Sequence, residues 1–155
     1  MPSISGRAAN LMSKHLPWLG RKGTERQVKQ FRESGGTKGN AMFGKPVFLL
    51  DVVGRSSGEL RPVMLMLVHK DDALVVIGSN GGNPVTPNWY RNLVAADTAE
   101  VMVPGGERWT VTARELPEGD EREEAWHLAT EAYPDFDSYQ QLTERRIPVA
   151  LLERA

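Results

Sequence analysis

The sequence contains no cysteine, and that absence alone removes disulfides, iron–sulfur clusters, thiolate zinc sites and cysteine nucleophiles from consideration. Histidine is nearly as scarce. His15, His69 and His127 stand far apart, without the H-x-x-H or H-E-x-x-H spacing of a metal-binding helix, so no dedicated metal site is expected. Aromatic residues make up only 7% of the chain, and no aromatic-plus-basic recognition motif is present. With a net charge of −1, nucleic-acid binding is not expected either. What is present is an ordinary globular composition: 155 residues, 40% hydrophobic and 25% charged. That is enough for one domain burying roughly 70% of the surface its unfolded chain exposes.

The charge is unevenly spread. Residues 1–70 carry 12 Lys/Arg against 4 Asp/Glu, whereas residues 71–155 carry 7 against 16. Such asymmetry arises when a solvated basic face packs beside an acidic one, or when the first half meets an anionic ligand or membrane surface. Near the N-terminus, Ile4, Ala8, Leu11, Met12 and Leu16 recur at helical spacing with Arg7 and Lys14 between them, until Pro17-Trp18-Leu19-Gly20 ends the pattern. This amphipathic segment is too short and too charged to span a bilayer, and it lacks the cleavage pattern of a signal peptide. It is expected to dock on the protein's own core, with a lipid interface as the second option. The expected location is the cytoplasm, with peripheral membrane contact through this segment as the variant.

Further along, Thr24-Glu25-Arg26-Gln27 matches a capping box opening a short helix, with Val28 and Phe31 on one side and Gly35-Gly36 closing it. Strand-like runs occupy 46–53, 61–69 and 73–79, the last two joined by Lys70-Asp71-Asp72. Thr86 and Pro87 read as the cap and first residue of a helix through Ala95, with Trp89 and Leu93 on one face. A hairpin at 98–103 and 107–115 alternates Thr110, Thr112 and Arg114 with Trp109, Val111 and Ala113, which means one wet face. An acid-led helix at 118–132, a short helix from Tyr133-Pro134 to Thr143 and a strand at 146–152 complete the chain. Hairpins with helices inserted between them argue against a doubly wound sheet. The expected fold is mainly β with capping helices (α+β): a partly open, antiparallel barrel of six or seven strands. Residues 1–40 would supply N-terminal helices and 41–155 the barrel, within a single domain.

The most chemically pointed stretch is Gly54-Arg55-Ser56-Ser57-Gly58, followed by Arg61 at the start of the next apolar run. Glycines let backbone N–H groups approach a phosphate, hydroxyls add donors, and arginine matches the planar fork of its oxygens. The loop also satisfies G-x-S-x-G, which in α/β-hydrolases places a nucleophilic serine on a strand-to-helix elbow. Here a strand follows instead, Arg61-Pro62-Val63-Met64-Leu65-Met66, so binding is favoured over nucleophilic attack. A second glycine-rich loop, Gly78-Ser79-Asn80-Gly81-Gly82, precedes Pro87-Asn88-Trp89-Tyr90-Arg91-Asn92-Leu93. Two such loops beside an aromatic helix start suggest a planar, phosphate-bearing ligand.

These residues, with Ala132-Tyr133-Pro134, Tyr139-Gln140 and Ile147-Pro148-Val149, form an ordered set over roughly residues 40–153 that resembles the deazaflavin-dependent nitroreductase family. The resemblance implies a split β-barrel of the FMN-binding type that holds coenzyme F420 and passes its hydride to a quinone, nitroaromatic or activated enone. It implies that Arg55, Ser56, Ser57 and Arg61 hold the phosphate and acidic tail, and that Pro62, Val63, Met64, Leu65 and Met66 line the coenzyme. Ile77, Gly78, Ser79 and Asn80 would meet the deazaflavin ring. Asn88, Trp89, Tyr90, Arg91 and Asn92 would close the phosphate end, and Tyr133, Phe136 and Tyr139 would sit over the ring.

Ser79, Tyr133 and Tyr139 are the candidates for polarising the acceptor or giving it a proton. Lys38 and Lys45 add charge that would reach the anionic tail. Phe136 stands where many relatives carry tyrosine, and Thr86 where histidine is common, which leaves substrate choice open. The alternatives are an FMN-dependent oxidoreductase of the same barrel type and a non-catalytic F420 carrier. The partner expected is a small-molecule acceptor, and the chain is expected to be a monomer or homodimer.

Overall fold

The computed structural model describes residues 17–155, so the amphipathic pattern from Ile4 to Leu16 lies outside the described residues. Helix α1 (Pro17–Glu33) leads into strands β1 (Ala41–Met42), β2 (Lys45–Val53), β3 (Leu60–Met66), β4 (His69–Lys70) and β5 (Ala73–Ile77). A single 3₁₀ turn (Asn80–Gly82), helix α2 (Asn88–Ala95), strands β6 (Ala99–Met102) and β7 (Arg108–Glu115), helices α3 (Asp120–Ala132) and α4 (Asp135–Gln141), and strand β8 (Val149–Arg154) follow. Among the described residues, no helix is long and apolar enough to cross a membrane.

Every strand pairing is antiparallel. The order is β1-β2-β6-β7-β8-β5-β4, and β3 pairs with the free edge of β2. Residues 60–70 explain how the sheet curls. Their first part is hydrogen-bonded to β2, ending with the Leu67 N–H donating to Pro46 O at 3.0 Å. At the next residue Val68 O accepts from the Val75 N–H at 2.8 Å, and β4 pairs with β5. One bent segment thus serves both ends of the sheet, which is the split barrel expected. Among the described residues six longer strands form the barrel, in line with the six or seven expected, and β1 and β4 are two-residue additions.

Burial along β2 shows how the layers form. Residues 47–52 are all buried, since both faces of this strand are covered. Phe48, Leu50 and Val52 point into the barrel with Leu74, Val76, Val101, Val111 and Leu152, whereas Val47 and Leu49 meet Val28 and Phe31 of α1. In β5 the same period of two sends Leu74 and Val76 inward and Val75 and Ile77 outward to Ala125, Ala129, Tyr133 and Phe136 of the α3–α4 layer. Phe31 is wholly buried, so docking α1 through that one side chain contributes about 1.5–3 kcal/mol. Arg32 adds a 2.5 Å bond to the buried carboxylate of Asp51.

Several boundaries differ from the sequence expectation, and Pro17-Trp18-Leu19-Gly20, expected to end a helical pattern, instead opens α1; three of the differences have a local cause. Thr24 lies inside α1 rather than capping it, because the chain from Pro17 is already helical and no cap is needed there. The helix does end at the glycines: Gly35 and Gly36 have φ of 65° and 79°, and the Gly36 N–H donates to Phe31 O at 2.8 Å. Helix α2 starts one residue late, with Pro87 extended in the cap position instead of Thr86. Strand β8 begins at Val149 rather than 146. Pro148 has no N–H for a ladder, and the Ile147 N–H is already given to the Gln140 Oε1 at 3.0 Å.

Candidate active site

The loop after β2 is a tight polar turn. The Gly54 N–H donates to Glu59 O at 2.8 Å, and the Gly58 N–H donates to Gly54 O at 2.9 Å. A Cβ on Gly54 would stand 2.5 Å from Ser57 Oγ, so a side chain there would turn the Ser57 hydroxyl out of its place in the loop. Helix α2 holds the cation of the loop. Asn92, only 7% exposed, accepts at Oδ1 from the Arg55 N–H at 3.1 Å and from its Nη1 at 2.6 Å. Asn88 Oδ1 accepts from Arg55 Nη2 at 3.2 Å. Two side chains one helical turn apart therefore hold both terminal nitrogens of the guanidinium. Together with Gly54, Ser56, Ser57, Arg61, Pro62 and Trp89 these residues line an open cradle of about 400 Å³. Glu59 stands 3.3 Å from Arg61 and is largely exposed. Neither described histidine lines the cradle, and His127 is turned to Glu131 at 3.0 Å, so among the described residues no histidine is placed as a base for the serines.

Strand β3 carries the site onward. Past Pro62 its residues Val63, Met64, Leu65 and Met66 line a second cavity of about 230 Å³, and Trp89 borders both spaces. The opposite wall comes from Tyr133, Phe136 and Tyr139, the last two on one face of α4 at i, i+3. Tyr133 meets Phe136 edge-on at 5.1 Å between centroids, and its hydroxyl lies 2.9 Å from that of Tyr139. Burial raises the ionisation of both phenols above the ordinary tyrosine value, that of Tyr133 strongly, so both stay protonated at neutral pH.

Ile77, Ser79 and Asn80 complete the groove. The Ser79 loop takes left-handed backbone at Asn80, Gly81 and Gly82, with φ of 48°, 62° and 82°. Arg145 holds it from behind: Nε donates to Asn83 O at 2.8 Å, and Nη2 to Ser79 O at 2.8 Å and Gly78 O at 3.2 Å.

The fold therefore gathers Arg55, Ser56, Ser57, Arg61, Pro62, Asn88, Trp89 and Asn92 at one end, and Val63–Met66, Ile77, Ser79, Asn80, Tyr133, Phe136 and Tyr139 at the other. Five expected residues stand apart. Tyr90 points into the barrel core, 3% exposed. Arg91 is exposed on the outer side of α2 and lines neither space. Gly78 gives its N–H to Pro148 O at 2.9 Å and its carbonyl to Arg145, and a Cβ there would strike Pro148 at 2.8 Å. Lys38 and Lys45 are exposed and border neither space. Sequence reasoning missed Met42, Phe43, Val68, Val75, Val76 and Gly81 in the groove, and Arg145 behind it. Only Arg145 carried a signal, a cation two residues before Ile147-Pro148.

A model of the F420H(2)-dependent quinone reductase family matches residues 24–154. The chain belongs to this family. An F420H(2)-dependent quinone reductase of Mycobacterium tuberculosis is 32% identical over 127 residues, 80% of this chain and 85% of the relative. A solved F420-H2 dependent reductase, FDR-A, is 43% identical with a TM-score of 0.64, covering 70% of this chain and 94% of its own. Another solved structure, described as a domain-swapped dimer, is 40% identical with a TM-score of 0.67, covering 83% of this chain and 96% of that one. Within the F420H(2)-dependent quinone reductase family, the fold and the ordered motifs expected from the sequence find their place.

Proposed function

We propose that this protein takes coenzyme F420 along the continuous channel formed by cradle and groove, and uses it to reduce a quinone-like acceptor. The observation that carries this reading is the continuity itself: β3 passes from Arg61 and Pro62 in a cation- and hydroxyl-lined cradle straight into Val63–Met66 in an apolar, aromatic-walled groove. Such a donor set fits an anionic tail, and the groove fits the planar ring to which that tail is attached. The reduced coenzyme supplies a hydride, hence both electrons of the reduction.

The chain's own residues do the rest. Arg55, pre-aimed by Asn88 and Asn92, and Arg61 hold the anion, which fixes the ring's position along β3. The groove excludes water through Met64, Met66, Phe136 and Trp89. An acceptor that gains a hydride becomes an anion at oxygen and needs a proton. The Tyr133–Tyr139 hydroxyl pair and the Ser79 hydroxyl face that space as neutral donors, with the buried Asp135 side chain hydrogen-bonded to Tyr133 behind the pair.

The test is direct. Oxidised F420 is titrated by fluorescence, and the reduced form is then mixed with protein and a quinone. Saturable binding followed by acceptor-dependent reoxidation is the expected outcome; binding with no reoxidation by any quinone would leave a carrier, and no binding would refute the channel assignment.

A further inference from the structure

Phe43 occupies a position that suits phenylalanine badly. It is the first of the two residues that turn β1 into β2, where Ala41 pairs with Pro46 and Met42 with Lys45. Phe43 and Gly44 have φ of 52° and 74°. A two-residue hairpin with both central residues left-handed favours asparagine, aspartate or glycine at its first position, because a larger side chain strains that backbone. Gly44 meets the requirement and Phe43 does not.

Nor does packing compensate, since Phe43 is 47% exposed. A strained backbone carrying a half-open aromatic ring calls for a reason outside folding. The ring lies on the rim of the groove. It stands nearly parallel to Tyr133, at 13° and 6.2 Å between centroids, within the range of an offset stack. Met42 lines the groove beside it. The uncovered part of the Phe43 ring and the Tyr133–Tyr139 hydroxyl pair therefore border one space.

We propose that Phe43 is a specificity-determining residue of the acceptor site, its ring forming the outer plate on which a planar, fused-ring quinone stacks while a quinone oxygen meets the Tyr133–Tyr139 hydroxyls. Stacking grows with overlapping ring area. A single-ring quinone held at the hydroxyls overlaps this plate little, whereas a fused second ring extends across it. The inference rests on the reductase reading of the groove.

Phe43→Asn separates function from folding, because asparagine suits the turn and the variant should melt at the same temperature as the wild type or higher. With reduced F420 as donor, kcat/KM for 1,4-naphthoquinone should fall about tenfold while that for 1,4-benzoquinone changes by less than about twofold. Naphthoquinone affinity, read without coenzyme by quenching of tryptophan fluorescence, should weaken by a similar factor, and the Kd of oxidised F420 should stay unchanged. Phe43→Trp should keep the wild-type preference. Equal losses for both quinones, or an unchanged ratio in a wild type that reduces both, would overturn the role of Phe43 and leave the reductase reading standing. A wild type that binds F420 and reduces neither quinone would overturn both.

Discussion

In the cradle the polar groups are tied to one another before any ligand arrives: Asn88 and Asn92 hold Arg55, and the turn from Gly54 to Gly58 holds itself. In the groove the polar groups are few and set among apolar side chains, with Ser79, Tyr133 and Tyr139 between methionines, Ile77 and Phe136. The first region is open to solvent, but its charge contacts are already oriented; the second is largely apolar, so a single hydroxyl there is worth more. On the proposed reading, binding and chemistry fall to different ends of one channel. Substitutions at the two ends should move different kinetic constants.

Removing both cations should have the largest effect. Arg55→Ala with Arg61→Ala deletes two charge-assisted contacts of about 1.5–3 kcal/mol each, so the Kd of F420 should rise at least about a hundredfold. The rate at saturating coenzyme should change far less, and an unaltered Kd would remove the anion assignment. Next in size is Tyr133→Phe with Tyr139→Phe, expected to lower kcat by about tenfold to a hundredfold while leaving the Kd of F420 within about twofold. A parallel loss of affinity in that variant would erase the contrast between the two ends.

Arg145→Ala should fall between these classes of effect. It leaves the carbonyls of Gly78, Ser79 and Asn83 without this partner, which should cost about 1–3 kcal/mol of stability in denaturant melts and lower kcat more than affinity. The pH dependence is a quieter test. In the unfolded chain both phenols ionise near pH 10, whereas the fold keeps them neutral beyond that. Their contribution is complete below about pH 10 and is lost as the pH climbs through their raised folded values, so unfolding midpoints should drop there. They should drop less steeply in Tyr133→Phe. The smallest change is expected from Phe136→Tyr, which should alter the preference among polar nitro acceptors with little effect on coenzyme binding.

Much of this was legible because local pattern and tertiary role agree. The two-residue period in residues 107–115 survives as Trp109, Val111 and Ala113 against the core and Thr110, Thr112 and Arg114 outside. The loop at Gly54–Gly58 and the Ser79 loop were readable because glycine, serine and arginine announce backbone approach and anion chemistry in the chain itself. Phe43 was not readable, since only the turn at Phe43-Gly44 brings it beside Tyr133 from 90 positions away. Tyr90 failed in the opposite direction: a residue inside a telling motif points from α2 into the barrel, because the helix periodicity that presents Asn88 and Asn92 to the loop turns their neighbour inward.

The sequence by itself determined the alternation that makes the strands, the glycine turns, the absence of cysteine chemistry and the order of motifs that marks an F420-dependent reductase. Tertiary structure decided which of those motifs meet. Asn92 binds Arg55 across 37 positions, and Arg145 reaches Ser79 across 66, only because the bent segment from Leu60 to Lys70 closes the curled sheet and α4 packs over its mouth. Such contacts leave no periodic trace in the chain: they arise from sheet curvature and long-range packing, to which many residues contribute a little and no single residue names its partner.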